Sequence, residues 1–145
     1  MWFLGCHGGA GVTTLTRALP GGGTDAHRVW PAPVDHVRAP VVLVARGHHD
    51  GLRAAQSAAR QWASGVLPWV SLLGLVVVAD APGRPPKVLR DLQHLVSGGV
   101  PRAWSVPWVE PWRCGEPIES NTPRQVTALG RDLVQLSGGI QYGRP

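Results

Sequence analysis

Short apolar runs, separated by polar and Gly/Pro-rich stretches, set the architecture of this chain. The first, Met1 to Leu4, enters a glycine-rich turn and then Val12 to Leu19, which reads as strand, turn, helix. Val41 to Ala45 and Leu72 to Ala79 are continuous aliphatic runs of the kind a strand buried on both faces shows. Ala103 to Val106 is a further short strand. Helical periodicity fills the gaps. From Asp50, which can cap, to about Ser64, Leu52, Ala55, Ala59 and Trp62 share one face, with Arg53, Gln56 and Arg60 opposite. Lys87 to Ser97 turns Val88, Leu89, Leu92, Leu95 and Val96 inward, and Gly98-Gly99 closes it. The last helix takes Thr122 as cap and Pro123 at its first position, with Val126, Leu129, Leu133 and Leu136 on its buried face. Residues 20 to 40 contain no apolar run long enough for a buried strand, and Val29 to Val34 is proline-interrupted, a loop or edge. Strands alternating with helices predict a mainly parallel sheet in a three-layer α/β sandwich. One domain spans residues 1–137, and 138–145 reads as a loose tail.

Composition narrows the class. Across 145 residues, 43% hydrophobic and 16% charged exclude a disordered chain. The net charge is +5, but the basic residues are scattered, so support for nucleic-acid binding is weak. Two cysteines, Cys6 and Cys114, do not make a disulfide framework. The apolar runs are too short to span a bilayer, and no signal peptide precedes the first strand; the expectation is a reduced, cytoplasmic protein without a membrane span.

The chemistry concentrates in Gly5-Cys6-His7-Gly8-Gly9-Ala10-Gly11-Val12-Thr13-Thr14. A glycine-rich turn between strand and helix aims backbone N–H groups into one concavity, where an anion such as phosphate fits. A P-loop reads G-x-x-x-x-G-K-[ST]. Setting its second glycine on Gly11 and its hydroxyl on Thr13 places Val12 at the lysine and Cys6 at the first glycine. The loop has the phosphate-binding shape without its main charge, and Val12 can pack against the sheet instead.

The string His7-Gly8-Gly9-Ala10-Gly11-Val12-Thr13-Thr14 resembles the deviant Walker A motif, K-G-G-x-G-K-T-T, of the ParA/MinD family of P-loop ATPases. Gly8, Gly9, Gly11, Thr13 and Thr14 match; His7 and Val12 stand where the family has its two lysines. Beyond the loop the likeness is one of pattern: Val41 to Gly65, Leu72 to Ala79, and Val106-Pro107-Trp108 to Pro117 are similar to successive family segments. Relatives place two strands where residues 20 to 40 lie, one ending in the acidic Walker B residue. Asp25 and Asp35 remain here, but neither ends an apolar run. The resemblance implies a reduced P-loop NTPase-like fold that binds ATP or GTP with Mg2+ through His7 to Thr14. Thr13 is the magnesium-ligand candidate; Asp80, in Asp80-Ala81-Pro82-Gly83, imitates a Walker B carboxylate. It further implies an adaptor, nucleotide-responsive or a pseudo-ATPase, in bacterial plasmid maintenance, conjugative transfer or secretion, with a protein partner and as a homodimer.

Two alternatives stand beside it. Strand-to-helix loops of a parallel sheet emerge at one edge, so Arg46, Arg84 and Arg113 are brought near the glycine loop, and one of them is a substitute cation for a slow ATPase. Alternatively, Trp108 and Trp112, flanking Glu110, form an exposed aromatic pair for a protein-interaction scaffold that binds no nucleotide. His48-His49-Asp50 suits a helix cap better than a metal site, since zinc needs three or four convergent ligands. Cys6 reads as a small buried residue rather than a nucleophile.

Overall fold

In the computed structural model, which describes residues 1–19 and 23–141, the aliphatic runs become the centre of a five-stranded, all-parallel sheet. The elements in chain order are β1 (Trp2–Gly5), α1 (Val12–Ala18), β2 (Thr24–Asp25), β3 (Ala39–Arg46), α2 (His49–Ala63), β4 (Val70–Val78), α3 (Lys87–Ser97), β5 (Ala103–Val106), α4 (Glu110–Arg113) and α5 (Arg124–Gln141), with a 3-10 turn over Ile118–Ser120 before α5. The strand order is β2-β1-β3-β4-β5. β3 and β4 pair from Ala39↔Val70 to Arg46↔Val78. Both are central, so their two faces are buried. Val42 and Val44 join Leu15, Leu129 and Leu133 on the side of α1 and α5. Val41, Leu43 and Ala45 join Leu52, Ala55 and Ala59 on the side of α2. The result is the expected α/β architecture, helices on both faces of a parallel sheet.

The register between β3 and β4 shifts at Val41/Val42, where Leu72 is followed in the pairing by Gly74. The extra residue exchanges the faces: Leu72 points to the α2 side and Val76 to the α1 side, though both are even-numbered. Gly74 then lets β5 approach. A Cβ there would collide with the Arg102 carbonyl oxygen and lie 2.7 Å from the Trp104 ring.

Several local expectations change. A strand does exist inside residues 20 to 40. β2 is only Thr24–Asp25, held to β1 by backbone bonds from Thr24 N–H to Met1 O (3.0 Å) and from Ala26 N–H to Phe3 O (2.9 Å). It needs no apolar run because it is a sheet edge. Helix α2 is capped by His48, not Asp50: His48 Nδ1 accepts from Gly51 N–H at 2.9 Å. Thr122 does not cap α5. Its hydroxyl donates to Ile118 O, and the Pro123 carbonyl accepts the first bonds of the helix from Val126 and Thr127. On α3 only Val96 is buried; Val88 and Leu95 are 72% and 62% exposed. The helix lies beside a four-residue edge strand, which offers little sheet to cover. Helix α5 continues past Gly138 to Gln141, and the rest of the expected tail, 142–145, lies outside the described residues.

Candidate functional site

The strand order fixes where a ligand can bind. The chain leaves β1 toward β2, then returns to place β3 on the other side of β1, so the loops after β1 and β3 part company there. Open α/β sheets bind ligands in the crevice at such a switch point. The loop after β1 is the glycine-rich one, and β3 ends in Arg46.

Gly9 (φ 76°) and Gly11 (φ 104°) hold left-handed backbone, which glycine alone adopts freely. Gly11 is the N-cap of α1, and Leu15 N–H to Gly11 O (3.0 Å) is the helix's opening bond. The N–H groups of Val12, Thr13 and Thr14 therefore have no partner inside the helix. Val12 is 8% exposed and packs with Ala10 in the core on the α1 side, as its place in the sequence suggests.

His7 is a tie. Its Nδ1 donates to Gly8 O at 2.8 Å, because that carbonyl only accepts. Its Nε2 accepts from Arg46 N–H at 3.0 Å. Both nitrogens are thus engaged within the protein, where the sequence casts His7 as a phosphate donor. The His7 and His48 rings lie 5.2 Å apart, joining the loop to the start of α2.

The cation at the loop is Arg46. Its Nε donates to Gly9 O at 3.0 Å and its Nη1 to Ala79 O at 3.3 Å, so the guanidinium spans from the glycine loop to the end of β4. Burial lowers its pKa, the Arg113 charge lowers it further, and Asp80 opposes both. The loop cavity, about 520 Å3, is lined by Gly5, by His7 to Thr14, and by Asp25, His27, Arg28 and Arg46. That size suits a small-molecule ligand. Arg28 is a second cation that the sequence did not reveal. Its Nη1 lies 3.7 Å from where a Cβ on Gly8 would sit. It arrives there through left-handed backbone at His27 (φ 53°) and Arg28 (φ 63°), which no residue pattern announces.

The remaining candidates are distributed around this cavity. Thr13 and Thr14 line it. Asp25, ending β2, lines it too and accepts from His27 N–H at 2.8 Å. Asp80 and Arg84 line a different cavity of about 360 Å3, between the end of β4 and α3. The structure thus pairs Thr13 with Asp25 rather than with Asp80. Among the described residues no group of three or more His, Cys, Asp or Glu could hold a metal ion. The oxygen donors at the loop suit a magnesium that keeps water and phosphate ligands, not a caged metal. Trp112 packs against the α1-side core, and Trp108 is half-buried, with the Arg113 guanidinium 4.3 Å above its ring. This differs from the exposed pair expected of a scaffold.

Cys6 is partly buried, and its thiol is pushed from 9.0 up to about 12 by burial, against a smaller lowering from its backbone hydrogen bond with Val44. The folded chain keeps a proton that the unfolded chain loses. The contribution is therefore complete below about pH 9 and lost as pH rises from there toward 12, with a slope of at most ~1.4 kcal/mol per pH unit. Denaturant midpoints are expected to fall above pH 9 and to fall less in Cys6→Ala. A thiol reagent is expected to titrate only the exposed Cys114 in the folded chain and both cysteines in denaturant. Rapid modification of Cys6 in the folded chain would contradict this placement.

The fold and this crevice define an α/β protein with a parallel sheet and a glycine loop at its switch point. No helix among the described residues is long and apolar enough to cross a membrane. Residues 1–129 match the model of the Family of unknown function (DUF6668), and the chain belongs to that family. No curated protein and no solved structure matches it.

Proposed function

We propose that this chain is a degenerate, ParA/MinD-like P-loop protein that binds a nucleoside triphosphate weakly and acts as a nucleotide-responsive or pseudo-ATPase adaptor. The observation that carries the reading is Arg46. A guanidinium bound to the Gly9 carbonyl stands at the loop whose lysine position is Val12. Arg28 adds a second positive charge, and the loop's left-handed glycines match the motif's glycine positions. ATP or GTP with Mg2+ is the ligand class, with Thr13 and Asp25 as the oxygen donors beside the phosphates. The setting, from the resemblance, is bacterial plasmid maintenance, conjugative transfer or secretion, with a protein partner and cytoplasmic.

A slow ATPase using Arg46 as its cation is the second reading, favoured by the same contact. Phosphate release from ATP separates them. The adaptor reading predicts release no faster than in Thr13→Ala; release clearly above that control makes the chain a slow enzyme. The scaffold reading loses support from the packing of Trp112. Partner capture that survives destruction of the glycine loop and fails on changing Trp108 would restore it.

A further inference from the structure

A second, smaller cavity adjoins the glycine loop. It measures about 120 Å3 and shares Gly11, Thr14 and Arg46 with the loop cavity. Its other walls come from the ends of β4 and β5 and from Trp108 to Arg113.

Two features of these walls lack a partner. Arg46 and Arg113 both line the space, and the Arg113 charge acts against Arg46. No carboxylate lines it: Asp80 belongs to the neighbouring cavity, and Glu110 Oε2 accepts from Trp108 Nε1. The second feature is Trp112. Its indole N–H is buried and donates to nothing among the described residues. Buried donors without acceptors are rare in folded proteins, and this one lies in a residue that lines a positively charged cavity. Two like charges and an orphan donor are both relieved by the same thing, an acceptor-rich anion. The volume limits its size. At roughly 30 Å3 per water in the liquid, the space takes one oxyanion group and excludes a nucleoside.

We propose that this cavity binds a single phosphate-class oxyanion, held by Arg46, Arg113, the Thr14 hydroxyl and the Trp112 indole N–H. The anion gives Trp112 its acceptor and screens the two guanidiniums from each other. Because Arg46 also reaches the Gly9 carbonyl, occupancy here is coupled to the geometry of the glycine loop. The proposal does not depend on nucleotide binding at the loop. The same chemistry is offered by free inorganic phosphate and by a phosphate of a bound nucleotide.

The test is a 1H–15N correlation spectrum of the seven tryptophan indoles, with Trp112 assigned from Trp112→Phe. Sodium phosphate is titrated at constant ionic strength, balanced by sodium chloride. The expected result is a saturable shift of the Trp112 resonance, with apparent affinity about tenfold or more weaker in Arg113→Gln. Arg113 is exposed, so that variant keeps its core. A Trp112 shift with a nucleotide analogue but not with phosphate supports the pocket and assigns the anion to the nucleotide. A resonance unmoved by either probe, moved equally by chloride, or indifferent to Arg113→Gln overturns it. The loop amides report separately in the same spectra. Movement of Gly8 to Gly11 without Trp112 overturns this pocket and leaves the nucleotide reading. Movement of Trp112 alone does the reverse.

Discussion

Changing Arg46 to glutamine is expected to weaken nucleotide or pyrophosphate binding at the glycine loop by one to two orders of magnitude. A hydrogen bond to a charged group contributes about 1.5–3 kcal/mol, and every 1.4 kcal/mol is about tenfold in affinity. Arg46 is the one of the three substitute-cation candidates that lines the loop cavity. It is also held in place, by Gly9 O on one side and Ala79 O on the other. Lysine is not expected to restore binding, because an ammonium on a flexible stem cannot span both carbonyls and still face a phosphate. Arg84→Gln serves as the control, since Arg84 lines the separate cavity beside α3. Arg46 is only half-buried, so the fold should survive its loss. Titration of the three variants beside the parent decides the matter. Equal affinity in parent and Arg46→Gln would remove Arg46 from the role assigned to it.

The largest effect on stability is expected from Gly51→Ala. Gly51 is buried in the first turn of α2. A Cβ there would collide with the Arg46 carbonyl oxygen and lie 2.9 Å from His7 Nε2 and 3.0 Å from His48 Cε1. None of these neighbours yields cheaply. The Arg46 carbonyl belongs to the end of a central strand; His7 ties the loop to that strand; His48 caps the helix. Relief requires α2 to move away, which also breaks the His7 bridge. Overpacking of this kind costs about 3 kcal/mol, or roughly 10 °C of thermal midpoint at this size. Gly98→Ala is the control. Gly98 has ordinary helical backbone (φ −68°), and its nearest contact would be Leu95 O at 3.4 Å. A Gly51→Ala midpoint as close to the parent as that of the control would show that the junction between loop, strand and helix is looser than these distances require.

The readable parts of this chain are those whose residue pattern is dictated by burial on two sides. Val41 to Ala45 in β3 and Leu75 to Val78 in β4 read as central strands because every residue there is apolar and most are β-branched. α5 is legible for the same kind of reason: Val126, Leu129 and Leu133 recur at helical spacing and are all buried. The glycine loop is legible because only glycine adopts the φ of Gly9 and Gly11 without strain. What the sequence hides depends on partners far along the chain. β2 is two residues fixed by backbone bonds to β1, so its side chains carry no signal. Arg28 reaches the loop through non-glycine left-handed backbone. His48 rather than Asp50 caps α2, because three consecutive side chains each offer an acceptor and only the helix geometry chooses among them. Val88 and Leu95 have the periodicity of a buried face, but α3 flanks the sheet where it is narrow.

The central claim, that the glycine loop is a working phosphate site despite Val12, is tested most directly by calorimetric titration of the folded chain with non-hydrolysable ATP and GTP analogues, with and without magnesium. The control is Gly11→Val, in which a side chain is forced onto left-handed backbone beside Val78 and the Arg46 guanidinium. The account predicts weak, saturable binding that magnesium strengthens and Gly11→Val abolishes. No heat at millimolar ligand from a chain shown to be folded, or binding that Gly11→Val leaves unchanged, would contradict it.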